Sequence, residues 1–190
     1  MQNAMVAKCA LFTASLILAL FLVPFGAAQA KTAAEIDASV KATLARFQKD
    51  IKGADEYLKA AKGVLVIPEV KKVGFIVGGQ WGEGALMVGG GIVDYYKMEA
   101  GSIGFQAGYQ KADFVFIFFT ADVLEKFRTS NGWTAGVDSG ITFVDASLGL
   151  SADTLKSSAG VAGFAFGKEG LMGGMSAKGT KFTKFTPGAE

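Results

Sequence analysis

From Ile36 onward, apolar residues recur at steps of three and four: Val40, Leu44, Phe47, Ile51, Ala54, Leu58 and Ala61. Polar residues fill the positions between them. At about 100° per residue these positions share one face, so the spacing predicts a long amphipathic helix. Thr32-Ala33-Ala34-Glu35 places a hydroxyl and a carboxylate three residues apart, the arrangement of a capping box. Gly53 predicts a break or bend within the helix, and Gly63 its end.

Beyond Gly63 the pattern changes to short apolar and alternating runs. Val64-Leu65-Val66-Ile67-Pro68 predicts a short buried strand ended by its proline. Gly74 to Trp81 and Ala85 to Ile92 predict two strands, with Gly82-Glu83-Gly84 as a tight turn between them. Tyr95 to Glu99 and Ser102 to Gln110 predict the next pair, turning near Ala100-Gly101. Asp113 to Thr120 carries Phe114-Val115-Phe116-Ile117-Phe118-Phe119, apolar on both faces, and predicts a central strand covered on both sides. Ala121 to Thr129 predicts a second, shorter helix with Thr120 placed to cap it. Trp133 to Val137, Gly140 to Leu148, Gly160 to Gly167 and Leu171 to Ala177 predict further strands. Lys168-Glu169-Gly170 reads as another turn, and Lys181 to Phe185 as a closing edge strand.

The 26 glycines change this picture, because many fall inside the predicted strands. A strand glycine costs roughly 0.5–1 kcal/mol relative to alanine. It marks a bulge, sharp coiling or close backbone approach. The predicted fold class is therefore α+β: a strongly curved, glycine-rich antiparallel sheet, barrel-like or a sandwich. The long N-terminal amphipathic helix lies against it or across its open end, and one shorter helix accompanies it.

Residues 1–30 read differently. A short start with Lys8 precedes the apolar run Ala10 to Val23, then Pro24, Gly26 and Ala28-Gln29-Ala30. This is the order of a secretory signal peptide of bacterial type, with cleavage expected after Ala30; the alternative is an uncleaved anchor. Residues 31–190 are then expected to form a single domain, periplasmic or secreted. Cys9 is the only thiol and precedes the cleavage point, so neither disulfides nor thiolate chemistry is expected in the processed chain.

With no histidine there is no Ser–His–Asp triad, no histidine-ligated zinc and no histidine general base. Glu83, Asp94, Asp113, Asp138, Asp145 and Glu169 are the candidates for acid–base work, but most sit at predicted turns, where acids are ordinary. Gly78-Gly79 and Gly89-Gly90-Gly91 precede no Gly-Lys-Ser/Thr and open no helix, so they read as sheet curvature and not as a phosphate loop. The expectation is no enzyme, no cofactor and no metal. A formal net charge of +2 gives no reason to expect nucleic acid. Trp81, Trp133, Tyr95 and Tyr96 read first as packing residues, with one of the two tyrosines left exposed because adjacent strand residues face opposite ways.

Residues 31–72 hold nine basic and six acidic groups, against nine and eleven over 73–190. Lys41, Lys52 and Lys59 lie near one edge of the helical stripe that contains Phe47, and Lys71-Lys72 double the charge after Pro68. A basic-flanked amphipathic helix can lie on an anionic membrane. The same residues equally suit a helix packed on its own sheet with a solvated outer face.

The stretch Gly63-Val-Leu-Val-Ile-Pro-Glu-Val-Lys-Lys-Val-Gly-Phe-Ile-Val-Gly-Gly-Gln-Trp-Gly-Glu-Gly closely resembles the opening of the SYLF domain. Gly101-Ser-Ile-Gly-Phe-Gln-Ala-Gly-Tyr-Gln, Asp113 to Phe119 and Gly170-Leu-Met-Gly-Gly-Met-Ser resemble its later segments. The resemblance implies a lipid-binding module. Eukaryotic members of that family bind phosphoinositides, and fungal members also bundle actin. For this chain it implies lipid contact through the helix Ile36–Leu58 and Lys71-Lys72, with an anionic phospholipid or membrane surface as partner. The candidate lipid-binding residues are Lys41, Phe47, Lys52, Lys59, Lys71 and Lys72. The competing expectations are a small outer-membrane β-barrel and an envelope protein-interaction module without a lipid ligand.

Overall fold

The computed structural model describes residues 31–74, 77–103, 108–135, 138, 141–144, 151–158, 160–167, 170–171 and 179–188. The expected leader, the acids Asp145 and Glu169, and most of the strand expected over Leu171 to Ala177 lie outside these residues.

The long helix forms in two pieces. Helix α1 spans Ala33–Asp50 and α2 spans Ala54–Ala60, separated at Gly53, whose φ is +83°. The capping box is made as expected. Glu35 N–H donates to Thr32 Oγ1 at 3.3 Å, and Thr32 N–H donates to Glu35 Oε2 at 2.8 Å. Two positions between the expected stripe residues are also buried: Thr43 and Tyr57. Arg46 Nη2 donates to Thr43 Oγ1 at 2.8 Å, so this buried hydroxyl is satisfied.

Among the described residues nine strands make one sheet. They are β1 (Gly63–Gly74), β2 (Val77–Val88), β3 (Gly91–Ile103), β4 (Gly108–Phe118), β5 (Trp133–Thr134), β6 (Ile141–Phe143), β7 (Val161–Gly167), β8 (Gly170–Leu171) and β9 (Lys181–Phe185). Their order is β5-β9-β3-β2-β1-β4-β7-β6, with β8 paired to β7. All described pairings are antiparallel except β6 with β7. Two further helices are found among the described residues: α3 (Ala121–Thr129), at the expected place, and α4 (Ala152–Ser158), which hydrophobic spacing did not predict. Thr120 stands at the N-cap of α3 but makes no side-chain cap bond.

Several expected boundaries are corrected. Pro68 does not end β1. The strand bulges across Ile67–Val70, with Glu69 at φ +48°, and continues to Gly74. Gly82-Glu83-Gly84 is not a turn but the middle of β2. The β2–β3 turn falls at Gly89-Gly90, with φ +61° and +85°. Ala100-Gly101 likewise lies inside a continuous β3. Lys181–Phe185 is a strand, but an interior one, between β3 and β5.

Side chains alternate between two cores, one on each face. Leu65, Ile67, Phe114, Phe116 and Phe118 belong to the first, with Leu124 and Phe127 of α3. Val64, Val66, Val115, Ile117 and Phe119 belong to the second, with Ile36, Val40 and Phe47 of α1 and Leu155 of α4. Strand β4 is thus buried on both faces, as its unbroken apolar run implies.

The first core lies inside a curl. Strands β9 and β4 stand four strand spacings apart, about 19 Å in a flat sheet. Yet the rings of Phe182 and Phe116 are 5.2 Å apart at their centroids, edge to face. The sheet therefore bends round onto itself as a half-barrel. Its concave side is filled by Tyr96, Phe114, Phe116, Phe118, Phe127, Trp133 and Phe182. Helices α1, α2 and α4 cover the opposite, convex face. An outer-membrane barrel would be closed and turn a bare apolar band to lipid. Here, among the described residues, the sheet runs open from β5 to β6 and carries helices outside.

Candidate functional site

The bulge in β1 organises the convex face. Glu69 N–H, turned by its left-handed backbone, donates to Asp113 Oδ1 of β4 at 2.9 Å. Asp113 is 8 % exposed and receives Arg46 of α1 at 2.6 Å from Nη2 and 3.2 Å from Nε. One carboxylate therefore holds a helix, a bulge and a central strand together. At the other end of α1, Tyr95 of β3 donates its hydroxyl to Asp37 at 2.9 Å. Burial, then the hydrogen bond and charge of Asp37, push the Tyr95 hydroxyl above its ordinary pKa.

The other described acids considered for catalysis are also engaged. Asp94 accepts Arg128 Nε at 3.2 Å and Lys184 Nζ at 2.8 Å. Glu83 faces Lys97 Nζ at 3.6 Å, and Asp138 caps its own turn through Thr134 N–H. No group of three or more metal-ligating side chains is assembled among the described residues.

The described basic residues divide into those beside a carboxylate and the rest, which include Lys31, Lys49, Lys62, Lys126, Lys156 and Lys181 as well as the five candidates. Arg46, Lys97, Lys111, Arg128 and Lys184 stand beside carboxylates. The five candidate lysines do not. Lys41, Lys52, Lys59 and Lys71 are exposed and Lys72 is half-exposed, and none makes a hydrogen bond or ion pair among the described residues. Lys41 and Lys59 stand on the helices of the convex face, and Lys52 in the turn between them. Lys71 joins them there, because its register partner Lys111 lies two residues from Asp113 on β4. Lys72 points to the opposite face, beside Gln80 and Gln110 in the ladder. Phe47, the sixth candidate, is not at the surface. It is fully buried between α1 and β7, with ring centroids 5.1 Å from Phe164 and 5.7 Å from Phe166. An apolar position on a packed helix face is a core position, and the stripe alone did not say what would cover it.

The aromatic residues also separate. Trp133 and Tyr96 fill the concave core, and Tyr95 is half-buried beneath α1. Tyr96 and Tyr95 face opposite ways as expected, but neither is exposed. Trp81 is the residue that sequence reasoning placed wrongly: it is 47 % exposed. The Tyr96 hydroxyl, Trp133 Nε1 and Thr180 Oγ1 are buried without a hydrogen-bond partner among the described residues. Burial, reinforced by the charge of Asp94 and opposed by that of Arg128, drives the Tyr96 pKa far up.

These observations define an α+β domain of the curled-sheet kind, with an open end and a helix-covered back that carries unpaired cations. Residues 99–186 match the family model described as Ysc84, Las17-binding protein actin regulator, which is the SYLF domain family. The matched segment, under half of the chain, is consistent with a SYLF domain family member and supports a binding module. The match takes in the end of β3 and everything from β4 to β9. The resembling stretch Gly63 to Gly84 lies ahead of it. No curated protein matches the chain. No described helix is long and apolar enough to cross a membrane.

Proposed function

We propose that this domain binds an anionic phospholipid surface, without catalysis, after export and removal of residues 1–30. The supporting observation is the sorting of cations. Side chains beside carboxylates have their charge locally neutralised, whereas Lys41, Lys52, Lys59 and Lys71 stand exposed and unpaired on one side of the sheet. Each such lysine near an anionic bilayer contributes on the order of 1 kcal/mol, an attraction that salt screens. The acids Asp50, Asp55 and Glu56 on the same helices temper it. Binding by this route leaves Phe47 in the core and needs no detachment of α1. The actin regulation in the family description belongs to that family. What carries over to an exported domain is surface binding.

Sedimentation with vesicles tests the proposal. Protein purified from cells expressing the full chain should pellet with phosphatidylglycerol vesicles at low salt and stay free with phosphatidylcholine. Replacing Lys41, Lys52, Lys59 and Lys71 with glutamate should abolish pelleting. Equal binding to both lipids, or binding indifferent to that charge reversal, refutes it. Mass determination of the secreted product checks the expected start at Lys31.

A further inference from the structure

Among the described residues only two large hydrophobic side chains are exposed, Trp81 and Val93. Trp81 sits in a single row that crosses the convex face. Ladder pairing sets Lys111 of β4 opposite Lys71 of β1, Lys71 opposite Trp81 of β2, Trp81 opposite Glu99 of β3, and Glu99 opposite Lys181 of β9. Residues directly opposite one another in an antiparallel ladder project from the same face. The same face carries Ala85 and Tyr95 under α1. The row therefore lies on the side of the candidate lysines, on the stretch of sheet past the β1 bulge.

The indole rests its Cε3 and Cζ3 edge over Gly79, 3.9 Å from where a Cβ would stand, and leaves the rest to solvent. Around it is a shallow depression of about 450 Å³ lined by Gln80, Glu99, Ala100, Gly101 and Lys181. Three of the five side chains in the row are lysines. Glu99 and Glu69, the latter 3.3 Å from Lys111, offset part of their charge. What this patch adds to the lysines is thus mainly its aromatic ring. Tryptophan, with an apolar body and one N–H donor, partitions to the headgroup boundary of a bilayer.

We propose that Trp81 is the apolar anchor of the membrane-binding face, entering the headgroup region of an anionic bilayer while Lys71 and Lys181 contact phosphates around it. This rests on the lipid-binding reading above and extends it to a residue and a mode of contact.

The chain has two tryptophans, and the other, Trp133, is buried, so fluorescence can isolate Trp81. The spectrum of Trp81→Phe, subtracted from that of the unaltered protein, gives the Trp81 emission. With phosphatidylglycerol vesicles that emission should shift to shorter wavelength, and brominated acyl chains should quench it. Trp81→Ala should weaken vesicle affinity by about tenfold or more, the share of an anchoring aromatic. Vesicle binding with unchanged Trp81 emission and unchanged affinity of Trp81→Ala overturns the anchor and leaves the lysine-borne binding standing. Failure of the unaltered protein to bind anionic vesicles at low salt overturns both.

Discussion

The sharpest test of the fold uses glycines of one sheet that differ only in what lies above them. A Cβ on Gly84 would stand 1.9 Å from the Val66 carbonyl oxygen and 2.8 Å from Ile67 Cα, both backbone atoms of β1. The β1 bulge leans over β2 there, on the concave side. An ordinary carbon–oxygen contact is near 3.3 Å, so relief requires about 1.4 Å of separation between strands spaced about 4.8 Å apart. Such a shift breaks ladder bonds at the centre of the sheet. Gly84→Ala should cost about 4 kcal/mol or prevent folding, the range of an overpacked core position with backbone displacement. Gly101 is the control. It lies in β3, and a Cβ there meets nothing within 4 Å. Gly101→Ala should be neutral or stabilise by about 0.5–1 kcal/mol, because alanine restricts the unfolded chain. Urea denaturation followed by far-ultraviolet circular dichroism gives both values on one scale. A Gly84→Ala variant as stable as Gly101→Ala would refute the close approach of bulge and strand, and with it the register across β1 and β2.

Further outcomes follow from the same geometry. Asp113→Ala should destabilise by about 2–4 kcal/mol, because it strands the Glu69 N–H and releases Arg46, itself half-exposed and readily resolvated. A double-mutant cycle with Arg46→Ala should give a coupling of about 1 kcal/mol by urea titration; strict additivity would contradict the clamp. Tyr96→Phe removes a buried hydroxyl that has no partner and should stabilise by about 1 kcal/mol in thermal denaturation. It should also flatten the alkaline limb of the stability profile. With its folded-state pKa raised above the ordinary 10.0, Tyr96 holds its proton in the native state, so its contribution is full below about pH 10 and falls above it as the unfolded chain ionises. Tyr57 and Tyr95 shift in the same direction, so part of that limb persists in the variant.

Most of the architecture was legible where side-chain periodicity is dictated by burial. The α1 stripe, the capping box, the doubly buried β4 and α3 all follow from residues that have one acceptable environment. The errors cluster at glycines. Gly82 and Gly84 read as a turn because a turn and a close backbone approach both demand the residue without a Cβ. Only the partner strand decides between them, and that partner, the β1 bulge, is distant in sequence. Gly89-Gly90, read as strand, form the turn for the conformational reason, with positive φ at both. Helix α4 escaped notice because Ala152 and Leu155 are too few to establish a period. Its remaining signal is Ser151, whose hydroxyl accepts from Thr154 N–H at 3.2 Å. Four of the candidate lysines lie exposed and Lys72 half-exposed, since ammonium groups rarely bury. Phe47 and Trp81 were exchanged, because amphipathic spacing tells which residues share a face and not which stretch of that face is covered.

That distinction bears on how the binding surface is built. Helix α1 covers the convex face up to the bulge, where Asp113 accepts from both Arg46 and the Glu69 N–H. Lys111 meets the same Glu69 from the far side at 3.3 Å. The left-handed Glu69 is therefore a boundary: helix-covered core on one side, the bare row of Lys71, Trp81 and Lys181 on the other. Removing the clamp should loosen α1 without altering Trp81. Removing Trp81 should leave α1 in place, because the indole rests on Gly79 and is half-exposed. Hydrogen exchange separates these effects. Asp113→Ala should speed exchange along Ala33–Asp50, Trp81→Ala should not, and only Trp81→Ala should reduce vesicle affinity at unchanged α1 protection. Loss of α1 protection in Trp81→Ala would mean that the two halves of the convex face are one cooperative unit, and the anchor could not then be assigned to the exposed row alone.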